Sequence, residues 1–515
     1  MKQGTGLQTI SGHLRLFLEP GGLHPALTPV VPKFRLRNPA RRWTLRGIFP
    51  LAILALVVLA GMIVPGLLLL RHVALDYGEG WNAYWSHVAA TTPGQLYPDG
   101  GAMVSNNYPP AYFLLVGSIG QLTGDVLLTG RGVAAASLVL SAVLGGACVW
   151  RVSRSASAAV GCGLLILLYA TYVFNRFLFV NNPQWLAEAL ILMALYPLLG
   201  SGPADRRSLG LAALGVTAAM LVKHNMVALP LAIALWLGLT DRAALGRWIG
   251  RGASLCAAVA ALGYALWGPA IFTQIFLFDR TISLSGGRDG LVDAALTLPL
   301  VIAAAVLVRR IGLRGPFGLL VIYAGLATAL GVAQRFGTGV CDNAQFEGLC
   351  ALLVLACSAL GRRANGRLWH LGPQAFERWV AFMTVPGLVG CAPVLAQRWE
   401  QWQSRRVTEA GFARIVADVR AARGSVLCEN LAVCYWAGRP MGLDFFAYGQ
   451  KLRRGNGSGA VKGLFDAREP DIVVEDLGFP SKGEQRLPGD VTAAIARGYR
   501  VRSSVPGVVA ELVRR

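Results

Sequence analysis

Charge is scarce in this chain. Asp, Glu, Lys and Arg make up 15 % of its 515 residues, while 54 % are hydrophobic. Soluble domains carry roughly a quarter of their residues as charges, so an ordinary soluble protein of this length is excluded. Acids are the scarcer sign, 27 against 48 Lys and Arg, for a net charge of +21. That excess could suggest nucleic acid, but the basic residues form no single patch and fall in short clusters between apolar runs, so no nucleic-acid partner is expected. The nine Cys include no Cys-x-x-Cys pair and no His at zinc spacing, which excludes the common zinc and redox motifs. Most lie in apolar runs and read as small core residues. Cys428 and Cys434 fall in a polar C-terminal stretch, where they either pair in an oxidising compartment or stay as free thiols. There is no Gly-rich phosphate fingerprint and hence no expected nucleotide site. No internal repeat is visible, and the first residues carry no cleavable signal peptide.

What the chain has in plenty is apolar runs of membrane length. A basic tail, 1–47, ends at Arg41, Arg42 and Arg46 and is expected to stay cytoplasmic, with the first span, Ile48 to about Leu70, as an uncleaved signal-anchor. The run 110–123 is too short to cross about 30 Å of hydrocarbon and reads as an interfacial or half-inserted helix. Further runs near 127–150, 157–174, 184–200, 208–222, 225–240, 253–272, 291–308, 316–333, 346–360 and 376–396 bring the total to about eleven spans. Counted outward and inward in turn, they leave basic clusters at Arg151/Arg154, Arg206/Arg207, Arg242/Arg247/Arg251, Arg309/Arg310/Arg314 and Arg362/Arg363/Arg367 on the cytoplasmic side, as the positive-inside rule requires. Residues 399–515 are polar and mixed. Helical periodicity from Val407 to Ala422, with strand-like Gly424–Cys428 and Asp471–Glu475, predicts a small α/β domain. The expected fold class is a polytopic α-helical membrane protein, 48–398, with a first outer loop at 71–126 and a small C-terminal periplasmic α/β domain.

The first outer loop carries the candidate chemistry. Asp76-Tyr77-Gly78-Glu79-Gly80 sets two carboxylates beside a span, where acids are costly and mark a site or an ion path. Three positions apart, they share a face if helical. Either can remove a proton from a hydroxyl as a general base; the plainer alternative is a solvated acid capping the helix of Trp81. Trp81, with Tyr84 and Trp85, suits stacking on a sugar or anchoring at the interface. The loop ends in Asn106-Asn107-Tyr108-Pro109-Pro110-Ala111-Tyr112, where the prolines restrict the backbone at a loop-to-helix junction. Lys223-His224-Asn225 joins two spans on the same face, and its ammonium either neutralises a lipid phosphate or snorkels to the interface. Arg280, Arg288 and Arg335 are outer-face cations against the positive-inside trend and suit an anionic lipid ligand. Asn175-Arg176 and Asn181-Asn182-Pro183-Gln184 offer polar contacts from a short outer turn. Asp342-Asn343 opens a polar run at the mouth of a span, as a substrate contact or a helix cap.

Together these motifs resemble the GT-C glycosyltransferases, in particular bacterial members related to protein O-mannosyltransferases and lipid A sugar transferases. The likeness rests on the acidic motif of the first outer loop, the Tyr108-Pro109-Pro110-Ala111-Tyr112 segment before an apolar helix, and Lys223 at an outer span junction. It covers about residues 48–360, and a C-terminal soluble domain is typical of the class. The resemblance implies a multi-pass protein of the bacterial inner membrane with a periplasmic site. It implies a polyprenyl-phosphate sugar donor, such as one on undecaprenyl phosphate, and inverting transfer to the hydroxyl of a lipid, glycan or protein acceptor. Asp76 becomes the base and Glu79 its helper. Lys223, Arg280, Arg288 and Arg335 become donor-phosphate ligands, and Trp81, Asn107, Tyr108, Tyr112, Asn182, His224, Asp342 and Asn343 substrate contacts. Some relatives use a divalent cation, which an acid pair could hold; no other cofactor is implied. The sequence departs from the pattern in two places. Its two acids are not adjacent, and amides stand at 182–184 where an acid is common. The rival reading is a transporter or lipid flippase, which would set charges mid-span and often show repeats. These spans are nearly free of charge, Glu188 being the clearest exception, which favours an interfacial enzyme.

Overall fold

The computed structural model describes residues 45–99, 103–200, 202, 205–309, 315–365, 373–456, 459–478 and 486–515. The tail expected over 1–47 lies outside the described residues but for 45–47. The apolar runs fold as helices: α1 (Leu45–Leu68), α2 (Tyr77–Thr91), α3 (Ala111–Thr123), α4 (Val126–Ser153), α5 (Ala156–Tyr172), α6 (Gln184–Leu198), α7 (Arg206–Val222), α8 (Ala228–Thr240), α9 (Arg242–Trp267), α10 (Ala270–Phe276), α11 (Leu284–Leu296), α12 (Leu298–Val308), α13 (Pro316–Gln334), α14 (Phe346–Asn365) and α15 (Pro373–Ala421). Polar residues in the turns start several of them. Asp125 accepts from Leu128 N at 3.0 Å, Asp205 from Ser208 N at 3.1 Å and Asp241 from Ala244 N at 2.9 Å, each satisfying an orphan amide of a first helical turn.

Among the described residues, six helices (α1, α4, α9, α13, α14 and α15) are long and apolar enough to cross a membrane, and α11 with α12 add a seventh if their 52° bend lies within one span. The runs expected near 157–174, 184–200 and 225–240 are apolar helices of 17, 15 and 13 residues. The central post is α14, whose apolar stretch is wholly buried against α4, α5, α12 and α13. Trp185 of α6 stacks on its Phe346 at 4.5 Å between ring centroids. On the periphery, α1 and α9 leave Leu56, Leu59, Leu262 and Leu266 more than half exposed, an apolar surface that water solvates poorly.

Three local expectations change. The run 291–308 is not one straight span. It breaks at Thr297, because Pro299 at the start of α12 has no N–H to continue the preceding turn. The end of the outer loop expected over 273–290 is helical from Leu284, since Ser283 Oγ accepts from Gly286 N at 3.0 Å and starts α11. The last span and the helix expected from Val407 are also one 49-residue helix, α15; between Gln397 and Ala422 stands no proline and a single glycine, Gly411.

After α15 come β1 (Val426–Cys428), α16 (Leu431–Ala437), α17 (Phe445–Arg453), α18 (Ala460–Asp466), β2 (Ile472–Asp476), α19 (Gly489–Gly498), β3 (Tyr499–Val505) and β4 (Val509–Arg514). The sheet runs β1-β2-β4-β3. β1 pairs parallel to β2 with Leu427 opposite Val473, and β4 runs antiparallel to both β2 and β3. Helices cover it, as the expected small α/β unit requires. Cys428 and Cys434 form a disulfide between the end of β1 and the middle of α16. α16 seats on α2. The approach is so close that a Cβ on Gly80 would lie 2.0 Å from Ala432 N, so only glycine fits there.

Candidate active site

The acidic motif folds as a helix start. Asp76 is the N-cap of α2, with Oδ1 accepting from Gly78 N at 2.8 Å. This leaves Oδ2 facing a cavity, where Arg176 Nε donates to it at 2.8 Å. Glu79, one turn on, points the other way. It and Arg131 of α4 are both wholly buried. Arg131 Nε donates to Glu79 Oε1 and Nη2 to Oε2, each at 2.7 Å, while Leu75 N and Asn181 N donate to the same carboxylate at 2.8 and 3.0 Å. Arg131 also ties down the approach to Asp76 by donating to the carbonyls of Leu69, Arg71 and Val73 at 3.2, 2.7 and 2.6 Å. The two acids of the motif therefore separate, one onto a cavity and one into a buried ion pair.

The cavity has a volume of about 700 Å³. Asp76 and Tyr77 line one wall, and Arg176, Arg288, Arg335 and Arg398 bring four guanidiniums to it. Asn430 and Asp476 of the C-terminal sheet region line it too. An adjoining space of about 340 Å³ shares Arg176, Asp289, Arg335 and Cys341 and adds Asp293 and Asp342. Arg335 pairs with Asp293 at 3.2 Å, and Arg288, 77 % exposed, with Asp289 at 4.0 Å. Arg398 donates to Asn175 O at 3.0 Å and to Gln401 at 2.9 Å. Burial works against the charge of Arg176, yet Asp76 beside it holds that guanidinium above its usual value.

The C-terminal unit closes on this wall through buried polar contacts. Arg486 lies over the Tyr77 ring at 3.7 Å and pairs with Glu429 at 2.5 Å and Asp476 at 3.5 Å. Asn430 donates to Asp476 at 2.7 Å. Trp81 Nε1 donates to Asp444 at 3.1 Å. Burial pushes Asp444 up to about 6, with bonds from Ala447 N and Trp81 working against the rise. Burial likewise pushes Asp476 up to about 6, against the charge of Arg486.

The other residues singled out by sequence lie around this wall. Trp81 packs edge-on to Tyr108 and Phe113. Tyr112 OH donates to Asn181 Oδ1 at 2.7 Å, and Asn182 Oδ1 accepts from Gln184 N at 2.9 Å at the start of α6. Asn107 is half-buried. Lys223 is buried and donates to Gln184, which in turn donates to Glu188 at 2.8 Å; it does not line the cavity. His224 is beside it, with Nδ1 buried and unbonded among the described residues. The charge of Arg280 reaches Lys223, His224 and Tyr108, and burial raises the Tyr108 phenol against that charge. Asp342 lines the adjoining space, and Asn343 is buried behind it. Asp76, Arg288 and Arg335 are thus brought to one cavity; Glu79, Trp81, Tyr112, Lys223 and His224 are not on its lining. Sequence reasoning passed over Arg131 and Arg398. An Arg inside a predicted span is the signal that could have found Arg131, since it needs a buried partner. Among the described residues no three His, Cys, Asp or Glu side chains converge as a metal site.

No protein-family model and no curated protein sequence matches this chain. Solved structures do match its fold. ArnT from Cupriavidus metallidurans in the apo state is 15 % identical over 90 % of this chain and 97 % of its own, with a TM-score of 0.59. The same protein bound to undecaprenyl phosphate is 14 % identical over the same shares, at 0.55. The apo oligosaccharyltransferase of Archaeoglobus fulgidus is 12 % identical over 89 % of this chain and 73 % of its own, at 0.51. The chain has the GT-C fold that its sequence resemblance led us to expect.

Proposed function

We propose that this chain is an integral membrane glycosyltransferase. It moves a sugar from a polyprenyl-phosphate donor to an acceptor hydroxyl at the outer face of the bacterial inner membrane. One observation carries the reading. Asp76 opens onto a cavity whose other walls bring Arg176, Arg288, Arg335 and Arg398 to the same space. Asp76 Oδ2 takes the acceptor's proton as its oxygen attacks the anomeric carbon. The bond from that carbon to the donor phosphate breaks on the opposite side, which inverts the centre. The charge that develops on the departing lipid phosphate meets preorganised guanidiniums, the kind of stabilisation that supplies most of many rate enhancements. Glu79 acts at one remove, through Arg131 and the carbonyls of the segment that leads into Asp76. Lys223 and Arg280 set the field behind the cavity rather than gripping the phosphate.

The ArnT neighbour bound to undecaprenyl phosphate supports the donor class. The Cys428–Cys434 disulfide supports an oxidising compartment for the C-terminal unit and so an outward-facing site. The test is direct. Purified protein is incubated with a radiolabelled polyprenyl-phosphate sugar and a panel of lipid, glycan and peptide acceptors, with and without added divalent cation. Label moved to one acceptor class supports the reading. Donor left intact with every acceptor, alongside passage of lipid or solute across proteoliposomes, would replace it with the transporter.

A further inference from the structure

Each oxygen of Asp76 accepts a bond. Oδ1 caps α2 through Gly78 N at 2.8 Å and Oδ2 holds Arg176 Nε at 2.8 Å. The Asp76 side chain is 8 % exposed and that of Arg176 37 %. Arg176 lines both the main cavity and the adjoining one. It sits in a short 3-10 turn, Asn175–Phe177, at the end of a long flexible side chain that also lies over the Phe177 ring at 5.4 Å. An acceptor hydroxyl approaching Oδ2 therefore meets a carboxylate already engaged with a guanidinium. A phosphate entering the cavity offers the same guanidinium a second anion with a matching bidentate edge.

We infer that Arg176 is a donor-phosphate ligand which Asp76 holds before the donor binds, and that arrival of a polyprenyl phosphate draws it across, freeing the carboxylate. The inference rests on the reading of the cavity as a lipid-phosphate site, but it does not need transfer to occur. It assigns Arg176 a part in the chemistry by contact with the phosphate, and it orders events: donor first, then a free base. Acceptor hydroxyls meet an engaged carboxylate until a donor is present.

Competition has a signature that charge alone does not. Binding of undecaprenyl phosphate in detergent micelles to the full chain is titrated by quenching of tryptophan fluorescence. Asp76→Asn keeps the helix cap, since Asn caps as well as Asp, but releases Arg176. It is expected to bind the lipid phosphate about threefold to tenfold tighter than the wild type, as a partly buried ion pair no longer has to be broken. Arg176→Gln binds more weakly than the wild type, Arg176→Lys in between, and Asp76→Asn adds nothing in the Arg176→Gln background. Asp476→Asn removes a second carboxylate from the cavity lining without touching that pair and tightens binding less. Unchanged or weaker binding by Asp76→Asn would overturn the inference, as would tightening that persists without Arg176 or is equalled by Asp476→Asn. Failure of the wild type to bind undecaprenyl phosphate would sink both this inference and the donor reading. The expected binding cycle without sugar transfer to any acceptor would leave the exchange standing and remove the transferase.

Discussion

Replacing Arg131 by Met tests whether the buried pair behind the candidate base is a structural support. Arg131 and Glu79 are wholly buried and joined by two bonds of 2.7 Å. Removing one partner of such a pair costs about 3–5 kcal/mol, because a buried charge is left uncompensated. The substitution also orphans the carbonyls of Leu69, Arg71 and Val73, at about 1 kcal/mol each at the low end. The expected loss is therefore about 6–8 kcal/mol, near the whole margin of a typical fold. The double change Arg131→Met with Glu79→Gln removes the charge as well as its partner, so it should be milder than Arg131→Met alone by about 2 kcal/mol or more. Unfolding is followed in detergent by denaturant titration, read by tryptophan fluorescence. Trp81 and Trp85 of α2 sit within the affected region. An Arg131→Met protein within about 1 kcal/mol of the wild type, or a double variant as unstable as the two single losses added, would refute the reasoning.

Three further predictions concern the C-terminal unit. Gly80→Ala drives a Cβ into Ala432 N at 2.0 Å and is expected to separate α16 from α2; limited proteolysis should then cut the C-terminal unit at least severalfold faster, and unchanged cutting would contradict the docking. The disulfide closes a short ring of sequence separation 6, so Cys428→Ser should cost about 2 kcal/mol; alkylation before and after reduction, read by mass spectrometry, should find the pair oxidised in protein isolated from cells. Burial raises Asp444 from 3.8 to about 6, and an acid raised in this way holds its proton more tightly folded than unfolded. Its share of stability is complete below its unfolded value and is lost as the pH rises through about 6. The wild type's melting temperature should therefore fall more between pH 4 and 7 than that of Asp444→Asn, and parallel pH curves would count against the buried carboxylate.

Much of the fold is legible in the sequence because a membrane-length apolar run needs only its own backbone bonds to become a helix. Each run read in the sequence is helical, though 253–272 and 291–308 each straddle a break between two helices. What sequence could not give was how helices end against one another. The break at Thr297 depended on Pro299, and the uninterrupted course of α15 on the lack of a turn signal after Gln397. β3 and β4 were missed because their pattern of exposure is irregular; β3 is exposed through most of its middle. The candidate site was half legible. Asp76 was found because acids beside a span need a reason, and Arg288 and Arg335 because they oppose the charge bias. In one dimension Glu79 reads only as a helper beside Asp76. Its different role appears only once Arg131, 52 residues away in sequence, reaches it. Arg398, Asn430 and Asp476 come from segments that read as a span end and a soluble tail, and only the folded chain brings them to the cavity.

The central claim is that Asp76 is the base of a sugar transfer. Single-turnover transfer is measured with saturating donor and acceptor, for the wild type and for Asp76→Asn, after confirming that both bind the donor lipid and melt alike. Asp76→Asn is expected to slow the transfer step by about 10²–10⁴-fold, the usual worth of a positioned base, while still binding the lipid phosphate. Transfer by Asp76→Asn at close to the wild-type rate would contradict it.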